Sequence, residues 1–137
     1  MKTFLIYIFF SLILNISQIY AEIIEVNNEE IKTLMRKGVP LIDIRTEKEW
    51  NQTGIISQSK TITFFDNNGN FNVIDWMSKL DKIAKKNEPL IIICRSGRRS
   101  RIVSNYLNLK AGYNTIYHAT NGILSWIAEN KTTILPN

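Results

Sequence analysis

Leu90-Ile91-Ile92-Ile93-Cys94-Arg95-Ser96-Gly97-Arg98-Arg99-Ser100-Arg101 decides how this chain folds. Four aliphatic residues in a row, with no polar alternation, describe a strand buried on both faces, as in a parallel sheet. A polar loop, Cys94 to Arg99, follows directly. Ser100 is read as the cap of a helix carrying Ile102, Val103, Tyr106 and Leu107, and Gly112 stands where a C-terminal glycine belongs. In parallel sheets ligands bind outside the carboxyl ends of strands, which is where the Cys94 loop lies.

The flanks repeat the strand–helix alternation. Upstream, Asn27-Asn28-Glu29-Glu30 opens a helix with Ile31, Leu34 and Met35 on one face, ended by Gly38. Pro40 to Ile44 is a short buried strand. Thr46 caps a short helix holding Glu47, Glu49 and Trp50, and Lys60 to Phe64 forms another strand. Past the turn-rich Asp66-Asn67-Asn68-Gly69-Asn70, the residues Val73, Trp76, Met77, Leu80, Ile83 and Ala84 follow at helical spacing. Downstream, Asn114 to Tyr117 is a strand, and Ile123, Leu124, Trp126 and Ile127 belong to a last helix. Strands alternating with helices define an α/β domain with a parallel sheet.

The chain has 137 residues, 45% of them hydrophobic and 21% charged, which fits one ordinary globular domain. Its single cysteine excludes an intramolecular disulfide framework, a multi-cysteine zinc site and a dithiol redox centre. Its single histidine, His118, excludes an HExxH site. No acid or cysteine neighbour in the sequence marks His118 as a base, so it is expected to be structural or superficial. No metal or organic cofactor is implied.

Residues 1–21, MKTFLIYIFFSLILNISQIYA, have the form of a signal peptide: Lys2, an apolar run from Phe4 to Ile16, and a cleavage site after Ala21. The run is short for a membrane span, and an uncleaved anchor is the alternative. Either way residues 22–137 are expected outside the cytoplasm, a bacterial periplasm being the expected compartment. Cleavage leaves 16 basic and 12 acidic residues, a net charge of +4. Export, and the lack of aromatics among the arginines, argue against nucleic acid as partner. Contact with a membrane is expected only through an uncleaved leader.

The loop has the makings of an anion cradle. A helix start presents inward N–H groups and a partial positive charge, and both favour a thiolate over a thiol. Gly97 allows the tight turn. Arg95, Arg98, Arg99 and Arg101 add positive field, and guanidinium groups make forked bonds to oxyanions. Cys94 is therefore the expected nucleophile, with an inert core cysteine as the alternative.

The loop C-R-S-G-R-R-S resembles the C-x-x-G-x-R-S signature of the rhodanese family. Leu41-Ile42-Asp43-Ile44-Arg45 resembles that family's D-V-R strand end. Glu49-Trp50 with Gly54-Ile55-Ile56 is similar to its E-Y/W…G-H-I element. Gly112-Tyr113 and Asn121-Gly122-Ile123…Trp126 resemble its G-F/Y…G-G-x…W ending. The resemblance spans about residues 23–130. The sequence departs from the pattern at Ile55, which replaces a histidine, at the inserted residue of Thr53-Gly54, and at Asn121, which replaces a glycine.

The resemblance implies a five-stranded parallel sheet with helices on both faces. It also implies a sulfurtransferase. Cys94 takes a sulfane sulfur from a small anionic donor such as thiosulfate and passes it to a thiol or cyanide-like acceptor. Arg95, Ser96, Gly97, Arg98, Arg99 and Ser100 would form the substrate cradle. Asp43 would lie beside the cysteine loop, and Arg45 would pair with Glu49. Two alternatives remain open. One is a non-catalytic binding module or persulfide carrier serving a partner protein. The other is a cysteine phosphatase or arsenate reductase, although Ser100 stands where the C-x5-R phosphatase signature has its arginine.

Overall fold

The computed structural model describes residues 21–136. All but the last residue of the expected signal segment therefore lie outside the described residues. Among the described residues five strands and five helices alternate: β1 (Glu22–Val26), α1 (Asn28–Arg36), β2 (Leu41–Asp43), α2 (Glu47–Thr53), β3 (Lys60–Thr61), α3 (Val73–Leu80), β4 (Leu90–Ile93), α4 (Arg98–Leu109), β5 (Thr115–Ala119) and α5 (Gly122–Ala128). The strands form one sheet in the order β1-β5-β4-β2-β3, every pairing parallel. The expected α/β class and five-stranded parallel sheet are both found.

β4 is central, and its residues are at most 1% exposed. Its side chains alternate between the two faces. Leu90, Ile92 and Cys94 pack with Trp76 and Leu80 of α3 and Val103 and Leu107 of α4. Ile91 and Ile93 pack on the opposite face with Ile31 of α1 and Ile123 and Trp126 of α5. Helices thus cover both faces, and Cys94 emerges on the side of α4.

The helix starts follow local chemistry. Asn27 and Glu30 form a reciprocal capping box on α1, and Thr46 and Glu49 form another on α2. Asp66 accepts bonds from the amides of Asn68 and Asn70, closing the expected loop.

Three expectations are corrected. The Lys60–Phe64 strand is regular only over Lys60–Thr61. Beyond it the chain still runs beside β2, with Ile62 N–H donated to Asp43 O at 3.0 Å and Phe64 N–H to Ile44 O at 3.1 Å. α3 ends at Leu80, so Ile83 and Ala84 lie past it, although Ala84 is buried in the core. Glu22–Val26, not read as an element, is the edge strand β1, paired with β5. With two exposed or half-exposed glutamates in five residues, it has too little apolar pattern to announce itself.

Candidate active site

Asp43 of β2 and Ile93 of β4 are register partners, and one residue further on lie Ile44 and Cys94. Cys94 ends β4 and is 1% exposed. The chain then turns through Gly97, whose φ of 98° is open to glycine and poorly to other residues. A Cβ there would stand 2.0 Å from the carbonyl oxygen of Thr120. Two requirements, conformational and steric, thus fix the same residue.

The turn brings the Gly97 amide onto the sulfur, N–H donating to Cys94 Sγ at 3.1 Å. Gly97, not Ser100, is the N-cap of α4, and no side chain caps this end. The expected cap at Ser100 is corrected: the left-handed glycine starts the helix three residues earlier, placing Ser100 within the first turn. There it is fully buried. Its Oγ lies 3.2 Å from Cys94 Sγ and 3.1 Å from Gly97 O, to which it can donate. The first-turn amides of α4 have no partner within the helix, and the helix dipole adds its positive end beneath the loop.

The outer side of the loop is held from α5. The amides of Ile123 and Leu124 donate to Cys94 O at 2.9 Å and Arg95 O at 3.1 Å. Gly122 lets α5 approach, since a Cβ there would lie 2.4 Å from Arg95 O. Carbonyl oxygens of the loop are thereby engaged away from the sulfur.

The arginines divide into two kinds. Arg99 is bound to Glu49, with Nη1 donating to Oε2 at 2.8 Å and Nη2 to Oε1 at 2.5 Å. Arg101 forms an ion pair with Glu25. Arg95 and Arg98 are exposed and form no salt bridge among the described residues. Of the residues read as a substrate cradle, Arg95, Ser96 and Arg98 face solvent, while Gly97, Arg99 and Ser100 are engaged in the protein's own bonds. An incoming anion has Arg95 and Arg98 to meet.

Burial raises the Glu49 carboxyl. The Arg99 guanidinium and the bonds from Thr46 outweigh it and bring its pKa down to about 2. Arg99 is raised in turn, by its bonds to Glu49 against the opposing effect of burial.

The expected pairing of Arg45 with Glu49 is corrected. Arg45 is fully buried and pairs with Asp43, Nε donating to Oδ1 at 3.0 Å and Nη2 to Oδ2 at 2.7 Å. Asp43 and Arg45 are two apart at a strand end and so emerge on the same side. Two further guanidinium hydrogens go to Thr53 Oγ1 at 2.7 Å and Gly54 O at 2.8 Å. Thr53-Gly54, where the chain departs from the family pattern, is thus the acceptor pair for Arg45. Glu49, turned back by its capping box, meets Arg99 instead.

His118 reaches the Cys94 loop, a contact the sequence did not indicate. It lies on β5, register-paired with both Ile92 and Glu25, and is 1% exposed. Its Nε2 is 2.8 Å from Ser100 Oγ and 3.0 Å from Gly97 O, and its Nδ1 is 2.8 Å from Glu25 Oε2. Of the structural or superficial place expected for it, the superficial one is excluded by its burial, and its acidic partner comes from β1, 93 residues away in sequence. Only recognition of β1 and its register would have revealed it.

The fold and site define a parallel α/β domain with a helix-capping loop folded over a cysteine at the end of the central strand. Residues 27–129 match the family model described as Rhodanese-like domain, and the chain belongs to that family. An uncharacterized protein of Rickettsia prowazekii (strain Madrid E) is 32% identical over 92 residues, covering 65% of this chain and 72% of the relative. Thiosulfate sulfurtransferase 18 of Arabidopsis thaliana is 24% identical over 110 residues, covering 77% and 79%. Among solved structures, a rhodanese-related protein from Thermoplasma volcanium aligns with a TM-score of 0.60 at 23% identity, covering 82% of this chain and 99% of that one. Thiosulfate sulfurtransferase from Pseudomonas aeruginosa aligns at 0.66 and 19% identity, covering 83% and 20%. At these identities the structural likeness is one of fold.

Proposed function

We propose that this chain is a sulfurtransferase whose carrier is Cys94. The observation that supports it most is the Gly97 amide donating to Cys94 Sγ, with the Ser100 hydroxyl 3.2 Å from the same sulfur, at a helix N-terminus. A sulfur anion is what such a cradle stabilises.

In the first half-reaction the Cys94 thiolate attacks the sulfane sulfur of thiosulfate. The S–S bond of the donor breaks, and sulfite leaves with the electron pair. Cys94 becomes a persulfide anion. In the second, a nucleophile such as cyanide attacks the outer sulfur, thiocyanate departs and the thiolate is restored. Arg95 and Arg98 meet the donor's sulfonate end. Neither half-reaction calls on a metal or organic cofactor.

Ser100 bears against a phosphatase. The position that would carry a phosphate-binding arginine holds a buried hydroxyl facing the sulfur. On the sequence of residues 1–21, we also propose that the domain acts after export. N-terminal sequencing of exported protein that began at Met1 would count against cleavage.

The deciding experiment is thiosulfate-to-cyanide sulfur transfer by residues 22–137, beside Cys94→Ser. Intact mass is recorded after thiosulfate alone. Thiocyanate production, with one added sulfur on the wild type and none on the variant, is expected. No turnover and no adduct on reduced protein would overturn the reading.

A further inference from the structure

We infer that His118, charged and paired with Glu25, is a positioning residue that turns the single proton of Ser100 onto the Cys94 sulfur. The inference rests on the proposed role of Cys94 as nucleophile. It extends that role to a buried line of side chains running from Cys94 to the first strand.

The argument is one of donors and acceptors. His118 Nδ1 faces a carboxylate oxygen of Glu25 at 2.8 Å. Its Nε2 faces the carbonyl oxygen of Gly97 at 3.0 Å and Ser100 Oγ at 2.8 Å. A carboxylate and a carbonyl are acceptors only, and a neutral imidazole has one N–H. In the neutral ring with its proton on Nδ1, the bare Nε2 could accept the Ser100 hydroxyl but would still turn its lone pair on the Gly97 carbonyl oxygen at 3.0 Å. The imidazolium supplies a proton to each side.

Glu25 is set up as its counter-ion. Burial raises the Glu25 carboxyl. Bonds from Thr120 Oγ1 at 2.7 Å, from His118 and from Arg101 outweigh it and hold the group below its usual range. The ionisable groups facing the imidazole are thus Glu25 from β1, Arg101 of α4 beyond it, and Cys94 through Ser100.

The consequence falls on Ser100. Its oxygen lies within reach of the His118 Nε2–H, and its one proton has two acceptors, Gly97 O at 3.1 Å and Cys94 Sγ at 3.2 Å. Gly97 O already accepts the Arg101 amide at 3.1 Å and lies 3.0 Å from the histidine N–H. The sulfur is left as the open acceptor. Cys94 then receives two donors, one from backbone and one from Ser100, and both favour its anion. His118 touches neither the sulfur nor a substrate.

The test reads the sulfur itself. Alkylation by iodoacetamide at neutral pH and the ultraviolet absorbance of the thiolate are compared in wild type, His118→Asn, Ser100→Ala, the double variant and Glu25→Gln. Thiosulfate-to-cyanide transfer is measured on the same samples. His118→Asn and Ser100→Ala are each expected to slow alkylation about tenfold, the equivalent of one charge-assisted hydrogen bond. The double variant is expected to be no slower than either, with the thiolate absorbance falling in parallel. Glu25→Gln is expected to slow alkylation about threefold.

Wild-type alkylation and absorbance in folded His118→Asn would overturn the inference. If that variant does not fold, wild-type values in Glu25→Gln, whose side chain is at the surface, overturn it instead. Should wild type transfer no sulfur while the alkylation pattern holds, the proposed function fails and the inference stands. Transfer by wild type with alkylation untouched by the variants is the reverse outcome.

Discussion

Arg99, in the first turn of α4, is held by both oxygens of Glu49, a residue 50 positions earlier in the chain. The pair joins α2 to the helix whose start cradles Cys94. Glu49→Gln is expected to cost about 1–2 kcal/mol of stability at pH 7, after allowance for the partial exposure of both groups. Because the Glu49 pKa falls from 4.5 to about 2 on folding, its contribution is complete above pH 4.5 and is lost as pH drops toward 2. Thermal unfolding of wild type and variant across that window should show the gap between them closing.

The buried pair of Asp43 and Arg45 is more demanding. Asp43→Asn strands a guanidinium that is fully enclosed. A loss of about 3–5 kcal/mol is expected, read by urea denaturation. An Asp43→Leu/Arg45→Met double variant is expected to recover part of that loss, because it removes both charges together.

Gly97→Ala is expected to cost about 3 kcal/mol or more, combining a disfavoured backbone angle with a clash against the Thr120 carbonyl. Sulfur transfer should fall by more than the loss of folded protein explains, since the amide on the sulfur moves with the turn. Activity per folded molecule, from matched circular dichroism and turnover, checks this.

Arg95→Gln and Arg98→Gln are each expected to raise KM for thiosulfate about three- to tenfold while changing kcat less. Added salt should raise the wild-type KM more than that of either variant. Equal effects on KM and kcat would argue that these arginines act elsewhere in the reaction.

Much of this was legible in sequence, and what was not has a physical cause. Leu90–Ile93 declares its double-sided burial through unbroken aliphatic residues, and Asn27 and Thr46 declare their helices as capping residues followed by acids. Local chemistry, within four residues, was enough for each. The division of labour among the arginines was not legible, because Arg99 and Arg101 are claimed by carboxylates from α2 and β1. The pairing of Arg45 with Glu49 that the resemblance implies does not form, because residue 45 precedes the helix and the strand geometry delivers Asp43 first. His118 carried no signal at all: its meaning depends on the register of β1 with β5, which joins the two ends of the domain.

The amides of Ile123 and Leu124 that hold the Cys94 and Arg95 carbonyls have a consequence for biosynthesis. These residues follow the cysteine by about thirty positions, so a nascent chain that has just exposed Cys94 lacks the clamp that shapes its loop. The carbonyls of Cys94 and Arg95 gain these partners only when α5 has emerged and docked. A chain interrupted before Gly122 therefore lacks both of these bonds, and the loop around Cys94 is held from this side only in the finished domain.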